Sequence, residues 1–540
     1  MLPAKNLLPP TLATATVIAA ATLCAAPAGS GNPQSANQNP QPPNIVIIIA
    51  DDLGYGDLGC YGAKPRNIPT PNIDRLAAQS LRFTRGYATS ATCTPSRYSL
   101  FTGEYAWRKK VHILNGDAAL IIDPARPTLA AFLKTAGYAT ALVGKWHLGI
   151  GDGARALNFN DELKPGPLET GFDTAFFIPA TVDRVPCVFI DGHRVANLNP
   201  ADPIAVSYTK RIGTEPVGFE HPEMLKYPAN TQHDKTIVNG ISRIGYMSGG
   251  RAAWWVDEDI AATLVRHATD FIAAHAAGGA APFFLYLGAH DPHVPRWPAA
   301  RFRGKSGVGI RGDAIMQFDW TVGEVMAALE RAGVAQNTLL IVTSDNGPIL
   351  NDGYQDGATE ANGDHTPAGG LRGWKYQRYE GGTRVPLIVN WPARITPGVS
   401  DAMVSLMDLY PSFAAILRRP YPAKAGRDGM DVSDALLGKT KTSPRTMIVQ
   451  DGLGNVLALR DGDWKFIPAN ARKTADKKQD KPRSENEGAG ANTGSGTRVT
   501  EDLLFNLADD PAETTNLAGR NPEKLKQLRA KLAEIRDSAE

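Results

Sequence analysis

Runs of apolar residues recur along the chain, and each run ends at polar or turn-forming residues. The first run covers residues 44–50 (NIVIIIA) and is rich in β-branched side chains, as a strand buried on both faces would be. Similar runs occupy residues 138–143, 283–287, 339–342 and 386–390. We therefore predict a buried strand at each of these positions.

Apolar residues between these runs recur every three or four positions, which is the period of an amphipathic helix. This spacing predicts helices at residues 72–79, 128–136, 258–274 and 315–332. Alternating strands and helices are typical of an α/β fold. We expect a large mixed, mostly parallel β-sheet sandwiched by helices and closed by a helical region at residues 401–418.

The pattern changes near residue 443, where short strand candidates are separated by tight turns. These candidates lie at residues 447–450, 456–460, 464–467 and 503–507, and an amphipathic helix follows at residues 522–535. This arrangement predicts a smaller C-terminal antiparallel sheet plus helix.

Segments of biased composition flank or interrupt the folded parts. Residues 1–28 combine an early lysine, an apolar stretch and an A-x-A site, which is typical of a cleavable signal peptide. Residues 29–43 are rich in Gly, Pro, Asn and Gln and predict a flexible linker. Residues 471–499 are rich in charged and small residues and predict a disordered insertion. We place a large domain at residues 44–440 and a small C-terminal α+β subdomain at 441–540.

Charge and cysteine content narrow the setting. The 540 residues include 57 Lys and Arg and 55 Asp and Glu, so this balance predicts no nucleic-acid partner. The signal predicts a periplasmic or extracellular location without a membrane span after its removal, and the bulky Leu23 argues against lipoprotein anchoring at Cys24. Cys60, Cys93 and Cys187 then remain, so at least one is unpaired or chemically special. Pairing of Cys60 with Cys187 stays open.

Residues with catalytic potential directly follow four of the predicted strands. In chain order they are Asp51 and Asp52, Lys145 and His147, His290 and His293, and Asp345 and Asn346. The carboxyl ends of the strands form the ligand crevice of a doubly wound sheet, so we expect these side chains to converge.

The residue types indicate a hard metal ion next to a bound anion. Oxygen ligands suit Ca²⁺ or Mg²⁺, and four residues offer them: Asp51, Asp52, Asp345 and Asn346. A second set of residues would neutralise an anion bound beside the metal or donate a proton to it: Arg97, Lys145, His147, His293 and Lys375. A tetrahedral oxyanion ester fits both sets, because the metal would polarise its oxygens while a histidine protonates the leaving oxygen.

Residues 93–103 (CTPSRYSLFTG) contain the nucleophile candidate. Pro95 favours the first turn of a helix, so Cys93 would lie at a helix N-terminus, where exposed N–H groups attract an anion. The series Cys93-Thr-Pro-Ser-Arg97, followed by Thr102-Gly103, resembles the signature of type I sulfatases of the alkaline phosphatase superfamily.

Further motifs of that family follow in the family's order. They are ADDLGYG at 50–56, GKWHLG at 144–149, HDPHVP at 290–295, SDNG at 344–347, LRGWK at 371–375, YEGGTRVP at 379–386, and LFNLADDP at 504–511 with Asn516 and Leu517. The resemblance covers residues 44–535 apart from the insertion.

The resemblance implies an alkaline-phosphatase-like fold and an arylsulfatase-like sulfuric ester hydrolase. A separate formylglycine-generating maturation enzyme would oxidise Cys93 to formylglycine, whose hydrate attacks sulfur. One Ca²⁺ per chain, or Mg²⁺ in its place, would be bound by Asp51, Asp52, Asp345, Asn346 and the modified Cys93.

The resemblance also implies roles for the cationic residues and histidines. Arg97 would position the nucleophile. Lys145, His293 and Lys375 would bind the sulfate, and one of them would assist the leaving group. His147 would take a proton during sulfate release.

Weaker assignments concern the substrate. Thr181 is placed near the sulfate, and a second group is placed near the rest of the substrate: Asp183, Arg184, Asp291, Arg296 and Trp297. A loop or packing role explains each of these residues equally well. His290 is interpreted as structural, and residues 379–382 as a structural turn that positions Lys375.

Long loops at residues 150–255, with Trp254 and Trp255, would build a pocket for a sulfated carbohydrate. The expected partner is a sulfated small molecule or oligosaccharide. Two alternatives stay open: a phosphodiester or phosphonate monoester hydrolase of the same superfamily, since charge alone does not separate sulfate from phosphate, and an inactive calcium-stabilised sugar-binding protein with an unmodified Cys93.

Overall fold

The computed structural model describes residues 41–279, 281–470 and 499–538. The predicted signal peptide, the linker up to residue 40 and the insertion at residues 471–498 lie outside the described residues. The division between residues 440 and 441 stays a prediction.

The strands of the described residues begin and end as follows: β1 (Asn44–Ala50), β2 (Leu81–Tyr87), β3 (Ala139–Lys145), β4 (Thr174–Ile178), β5 (Ile190–Asp191), β6 (Arg194–Val195), β7 (Ala205–Ser207), β8 (Ile237–Val238), β9 (Ile241–Ser242), β10 (Tyr246–Ser248), β11 (Phe283–Gly288), β12 (Thr338–Ser344), β13 (Leu387–Asn390), β14 (Gly398–Ser405), β15 (Met447–Gly452), β16 (Val456–Asp461), β17 (Trp464–Ile467) and β18 (Leu503–Asn506).

The α-helices of the same residues are α1 (Pro71–Ala78), α2 (Cys93–Thr102), α3 (Leu129–Thr135), α4 (Ile260–Gly278), α5 (Gly309–Arg331), α6 (Ala358–Ala361), α7 (Glu380–Thr383), α8 (Leu409–Ile416), α9 (Ser433–Leu436) and α10 (Pro522–Asp537). Helices α1 and α4 contact α5, whereas α3 and α8 contact α2, so two groups of helices accompany the sheet.

Ten of the described strands form one sheet in the order β14-β2-β13-β12-β1-β11-β3-β4-β5-β6. The central strands β12, β1, β11, β3 and β4 are parallel, whereas β13 runs antiparallel to both β12 and β2. Strand β1 lies in the middle, where Ile47 pairs with Tyr286 of β11 and Ile341 of β12. Residues 45–50 are buried, because their continuous apolar sequence suits a strand covered on both faces.

A second sheet of four antiparallel strands, in the order β15-β16-β17-β18, follows near the C-terminus. Leu528 and Leu532 of α10 pack in a cluster with Leu459 and Phe466 of this sheet. Met407, which lies between β14 and α8, belongs to the same cluster, so the small sheet packs against the segment that follows β14. The predicted fold class is confirmed by these two sheets and their helices.

Several local predictions differ from the structure. The helical region predicted at 401–418 is wrong in its first part, because β14 extends to Ser405 and pairs with β2. Strand β2 was not predicted, since Arg82 and Arg85 interrupt its apolar pattern. The region 150–255, predicted as loops, contains the short strands β4 to β10.

No helix within the described ranges combines the length and the apolar character needed to cross a membrane.

Removal of a central side chain tests the importance of β1. We expect Ile47→Ala to lower the free energy of unfolding by about 2–5 kcal/mol, because the fully buried side chain leaves a cavity that close-packed neighbours cannot fill. The exposed Val399 of β14 is the matched control, and Val399→Ala should change stability by about 0.5 kcal/mol or less. Thermal and urea unfolding measure both values, and equal effects would contradict this assignment of the core.

Candidate active site

The carboxyl ends of β1 and β12 bring the predicted oxygen ligands together. Because these strands are adjacent and parallel, Asp51 and Asp52 meet Asp345 and Asn346 at one edge of the sheet. The backbone N–H of Asp52 donates to Asp345 Oδ1 over 3.2 Å, and Asn346 Nδ2 donates to Asp52 Oδ1 over 2.7 Å. One oxygen each of Asp51, Asp52 and Asp345 lies within 4.8 Å of the others. The predicted convergence is therefore present.

Three buried cations neutralise the three carboxylates. Lys145 Nζ lies 2.6 Å from Asp51 Oδ2, and Lys375 Nζ lies 2.8 Å from Asp52 Oδ2. Arg97 Nε donates to Asp345 Oδ2 over 2.9 Å. This pairing makes burial tolerable, because an unpaired charge in the protein interior is strongly destabilising.

Gly144 allows β3 to place Lys145 next to Asp51. Its φ is +95°, and a Cβ atom there would lie 2.0 Å from the carbonyl oxygen of Gly288 on the neighbouring strand β11. Only glycine fits this close approach of two backbones.

Two buried acceptor oxygens in this cluster have no hydrogen-bond partner among the described residues. They are Asp51 Oδ1 and Asn346 Oδ1. Buried polar atoms are almost always bonded, so such a pair calls for a partner. Carboxylate and amide oxygens are the ligands that Ca²⁺ and Mg²⁺ prefer, so this donor set fits a hard divalent cation.

Cys93 begins α2 and is buried beside this cluster. Its Sγ atom lies within 4.8 Å of ligand atoms of both Asp51 and His293. Burial raises the pKa of the thiol to about 11, even though Lys145 and Lys375 act in the opposite direction. An unmodified Cys93 is therefore protonated at neutral pH and is a weak nucleophile.

Arg97 is fixed at the base of the site. Its Nη1 donates to Tyr286 Oη over 2.8 Å and to the carbonyl oxygen of Lys145 over 3.3 Å. Burial acts to lower the pKa of Arg97, but Tyr286 and Asp345 outweigh it and raise the pKa above its usual value. Sequence reasoning missed Tyr286, because nothing in an apolar strand marks one tyrosine as a partner of Arg97.

The predicted histidines are held in their neutral form. Burial, with Lys145 and Arg184 nearby, lowers the pKa of His147 well below its usual value. His147 Nε2 lies 2.9 Å from the carbonyl oxygen of Leu114, so it donates there, whereas buried Nδ1 has no partner among the described residues and can accept a proton. Burial and Lys375 similarly lower the pKa of His293, whose Nε2 lies 3.7 Å from Asp52 Oδ2.

A cleft of about 50 Å³ opens beside Cys93. Its walls include Lys375 and His293 together with Asp183, Arg184 and His233. Arg184 Nη1 donates to Asp183 Oδ1 over 2.9 Å. Burial acts to raise the pKa of Asp183, but Arg184 and His233 outweigh it and hold the pKa well below its usual value. Both Asp183 and Arg184, predicted as weak substrate contacts, therefore face the cleft as a charged pair.

Thr181 contacts both members of that charged pair. Its hydroxyl is bonded to Asp183, and Arg184 Nη1 donates to Thr181 Oγ1 over 2.6 Å. Thr181 is not among the residues that line the cleft, so its contact with sulfate stays a prediction.

Sequence reasoning missed several cleft residues. Asp352 accepts hydrogen bonds from Lys375 Nζ over 2.9 Å and from Tyr376 Oη over 3.0 Å. Gln232 and His233 come from the loop before β8. Tyr376 could have been found from its place next to Lys375, whereas the loops that carry Asp352 and His233 have no periodic pattern.

Three residues assigned weakly to the substrate make internal hydrogen bonds, and their substrate roles stay predictions. Arg296 is buried and donates to the carbonyl oxygens of Ile349 and Leu350, so it holds that loop. Trp297 Nε1 donates to Glu258, and Asp291 accepts from Gln317. None of the three lines the cleft beside Cys93.

The sugar pocket predicted around Trp254 and Trp255 stays a prediction, since neither residue lines the cleft beside Cys93. Trp255 is buried against Phe189, and Trp254 Nε1 donates to the carbonyl oxygen of Gly249. Cys60 and Cys187 are both free thiols, which excludes their pairing in this structure.

Removal of the Arg97 guanidinium tests how much the pairing of the buried charges stabilises the fold. We expect Arg97→Met to lower the free energy of unfolding by about 3–5 kcal/mol, since Asp345 would stay buried with less compensation. The exposed pair Lys439–Asp434 provides the control, and Lys439→Met should cost about 1 kcal/mol or less. Chemical denaturation compares the two, and a stability loss for Arg97→Met no larger than the control's would refute the assigned role.

Comparison with known proteins places this geometry in context. A family model described as Sulfatase matches residues 43–418. An N-acetylgalactosamine-6-O-sulfatase from Bacteroides thetaiotaomicron is 48% identical over 501 residues, which cover 92% of this chain and 94% of that protein. Arylsulfatase A from Homo sapiens is 34% identical over 505 residues, which cover 91% of this chain and 87% of that protein.

Solved structures give the same result. One solved structure is described with the metabolism of multiple glycosaminoglycans by Bacteroides thetaiotaomicron. It is 47% identical in sequence, superposes with a TM-score of 0.85, and the match covers 92% of this chain and 100% of that chain. A sulfatase from Pseudoalteromonas sp. has a TM-score of 0.65 and 25% identity, with 92% and 90% coverage.

Proposed function

This chain belongs to the sulfatase family and is a sulfuric ester hydrolase, and on that premise we propose that it removes sulfate from sulfated carbohydrates through a formylglycine formed from Cys93 beside a bound Ca²⁺. The observation that carries the proposal is the position of Cys93. Its Sγ atom lies within 4.8 Å of ligand atoms of Asp51 and His293, at a cleft that Lys375 also lines. A protonated thiol in that place supplies no strong nucleophile, which favours a modified residue.

The proposed substrate is a glycan with a 6-O-sulfate on N-acetylgalactosamine. The support is the relative of that activity, which is 48% identical over nearly the whole of both chains. The charged pair of Asp183 and Arg184, with His233, would face the sugar, because these residues line the cleft beside Cys93. Their hydrogen-bonding groups suit hydroxyl and amide groups of a sugar.

The proposed metal ligands are Asp51, Asp52, Asp345 and Asn346, with the modified residue 93. When present, the hydrated aldehyde supplies a hydroxyl that can attack sulfur, and Ca²⁺ or Mg²⁺ polarises the sulfate oxygens. The unpaired Oδ1 atoms of Asp51 and Asn346 support this ligand set.

The chain's own cations and histidines would handle the anion and the protons. Lys145 and Lys375 would bind the sulfate and stabilise its developing charge, because they are buried where electrostatic interactions are strong. His293, which lines the cleft, or one of the two lysines would assist the leaving-group oxygen. Neutral His147 would accept a proton at Nδ1 during sulfate release.

Maturation and location complete the proposal. A formylglycine-generating enzyme would convert Cys93, and the signal peptide proposed at residues 1–28 would direct the protein to the periplasm or the extracellular space.

Sulfate release from defined sugars tests the proposal. We expect protein with a converted Cys93, verified by mass spectrometry, to release sulfate from 6-O-sulfated N-acetylgalactosamine faster than from the 4-O-sulfated sugar, and faster than it hydrolyses an aryl phosphodiester. Cys93→Ala should abolish turnover, because no nucleophile remains, while Cys60→Ala, which alters a free thiol in the short 3-10 helix after β1, should retain it. Converted protein that releases sulfate from none of these sugars would contradict the proposed function.

Calcium binding can be tested without turnover. We expect Ca²⁺ to raise the thermal midpoint of the wild-type protein, because the ion binds the folded state only. Asp51→Asn should weaken Ca²⁺ binding about tenfold or more, as read from the Ca²⁺ dependence of that midpoint and from calorimetry.

Asp451 provides the matched control. Its buried carboxylate accepts the Ser90 hydroxyl, whereas the acids grouped with Asp51 are Asp52 and Asp345, so Asp451→Asn should keep the Ca²⁺-dependent shift. The same shift in the Asp51 and Asp451 variants would exclude Asp51 as a ligand.

A further inference from the structure

The C-terminal motif at residues 504–511 and its continuation to Leu517 have no part in the site described so far. Directly after this motif the chain makes a turn, in which the Asp510 carboxylate accepts the backbone N–H groups of Thr514 and Thr515 over 2.8 Å. Glu513 lies inside this turn with a φ of +54° and no exposed surface. A buried glutamate in the left-handed region is uncommon, so its surroundings must hold it there.

Glu513 contacts both ends of the segment that carries Lys375. Its Oε2 accepts the backbone N–H of Glu380 over 2.7 Å. Its carbonyl oxygen accepts Nη1 of Arg372 over 2.7 Å. Lys375 lies between these two anchor points, and its Nζ reaches Asp52 at one edge of the site and Asp352 at the other.

The segment is also closed on itself. The N–H of Gly381 donates to the carbonyl oxygen of Arg372 over 2.7 Å, and the Arg372 guanidinium lies 4.1 Å from the ring centre of Tyr379. Residues 372–381 therefore form a loop whose base is clamped from outside by Glu513. The clamp closes a short chain segment, so it restricts where Lys375 can go.

A buried ionic network anchors the clamp to the small sheet. Lys465 Nζ of β17 lies 3.0 Å from Glu513 Oε1 and 3.2 Å from Glu380 Oε1. Arg460 Nη1 of β16 lies 2.7 Å from Glu380 Oε2. These side chains have at most 2% exposure, so the network is stable only when all its charges are matched. Glu513 thus links the C-terminal sheet to the loop of Lys375.

We propose that Glu513 is a positioning residue that holds Lys375 in its anion-binding place by clamping Arg372 and Glu380 at the base of the loop. The inference rests on the anion-binding role of Lys375 in the proposed function. It gives the C-terminal sheet a part in sulfate binding, although neither Glu513 nor Lys465 lines the cleft.

Two single variants cut the clamp at opposite ends. Glu513→Ala removes the acceptor of the Glu380 N–H, and Arg372→Ala removes the bond to the Glu513 carbonyl. Arg372 is exposed, so its loss leaves the core intact. We expect each variant to weaken competitive inhibition by inorganic sulfate about tenfold, measured at a temperature well below unfolding. Glu513→Gln keeps an acceptor for the Glu380 N–H and should restore part of the sulfate affinity.

A double-variant comparison separates positioning from general destabilisation. In a Lys375→Ala background, Glu513→Ala should cause no further loss of sulfate affinity, because it acts through Lys375. Leu528→Ala is the matched control, since it opens a cavity in the core under the small sheet without touching the loop. It should lower the thermal midpoint and leave sulfate inhibition unchanged.

The outcomes distinguish a failure of the Glu513 clamp from a failure of the proposed role of Lys375 in binding sulfate. Unchanged sulfate inhibition in both clamp variants, or an additive loss in the Lys375→Ala background, would overturn the inference alone. If Lys375→Ala itself left sulfate inhibition unchanged, the proposed role of Lys375 would fail, and the inference would fail with it.

Discussion

Three buried carboxylates and three buried cations compensate one another at the carboxyl ends of β1 and β12, and the site depends on that balance. Asp51 pairs with Lys145, Asp52 with Lys375 and Asp345 with Arg97. None of these charges could remain ionised in the interior alone, since the loss of hydration would far exceed any packing gain. The parallel pairing of β1 with β12 brings the acids together, and β3, α2 and the loop before α7 each deliver one cation.

The same arrangement suits the proposed binding of a cation next to an anion. The cations occupy the Oδ2 atoms of the acids, which leaves Asp51 Oδ1 and Asn346 Oδ1 without partners among the described residues. Lys375 and His293, which both lie close to Asp52, line the cleft beside Cys93. Oxygen acceptors thus lie next to residue 93 together with Lys375 and His293, as the proposed hydrolysis of a charged ester at a metal would require.

The central strand of the fold and the acids of the site could be predicted from local sequence, because each is encoded over a few adjacent residues. Strand β1 is apolar throughout since it is covered on both faces, and the acids directly follow it. Strand β2 was missed because Arg82 and Arg85 lie half-buried within it, and residues 401–405 were assigned to a helix although they pair with β2. Asp352 and His233 reach the cleft from irregular loops, and no local pattern determines where such loops pack. Glu513 lies 138 residues after Lys375, so only the folded chain reveals that it clamps the loop of Lys375.

The central claim is that acids from two strands and residue 93 surround one hard cation. A crystal structure of the protein matured with its formylglycine-generating enzyme and grown with Ca²⁺, with anomalous scattering recorded at long wavelength, tests it most directly. The account predicts a single anomalous peak at bonding distance from Asp51, Asp52, Asp345 and Asn346, with an oxygen of residue 93 in contact. A protein at saturating Ca²⁺ with no peak among these residues, or with a thiol at position 93 pointing away from them, would contradict it.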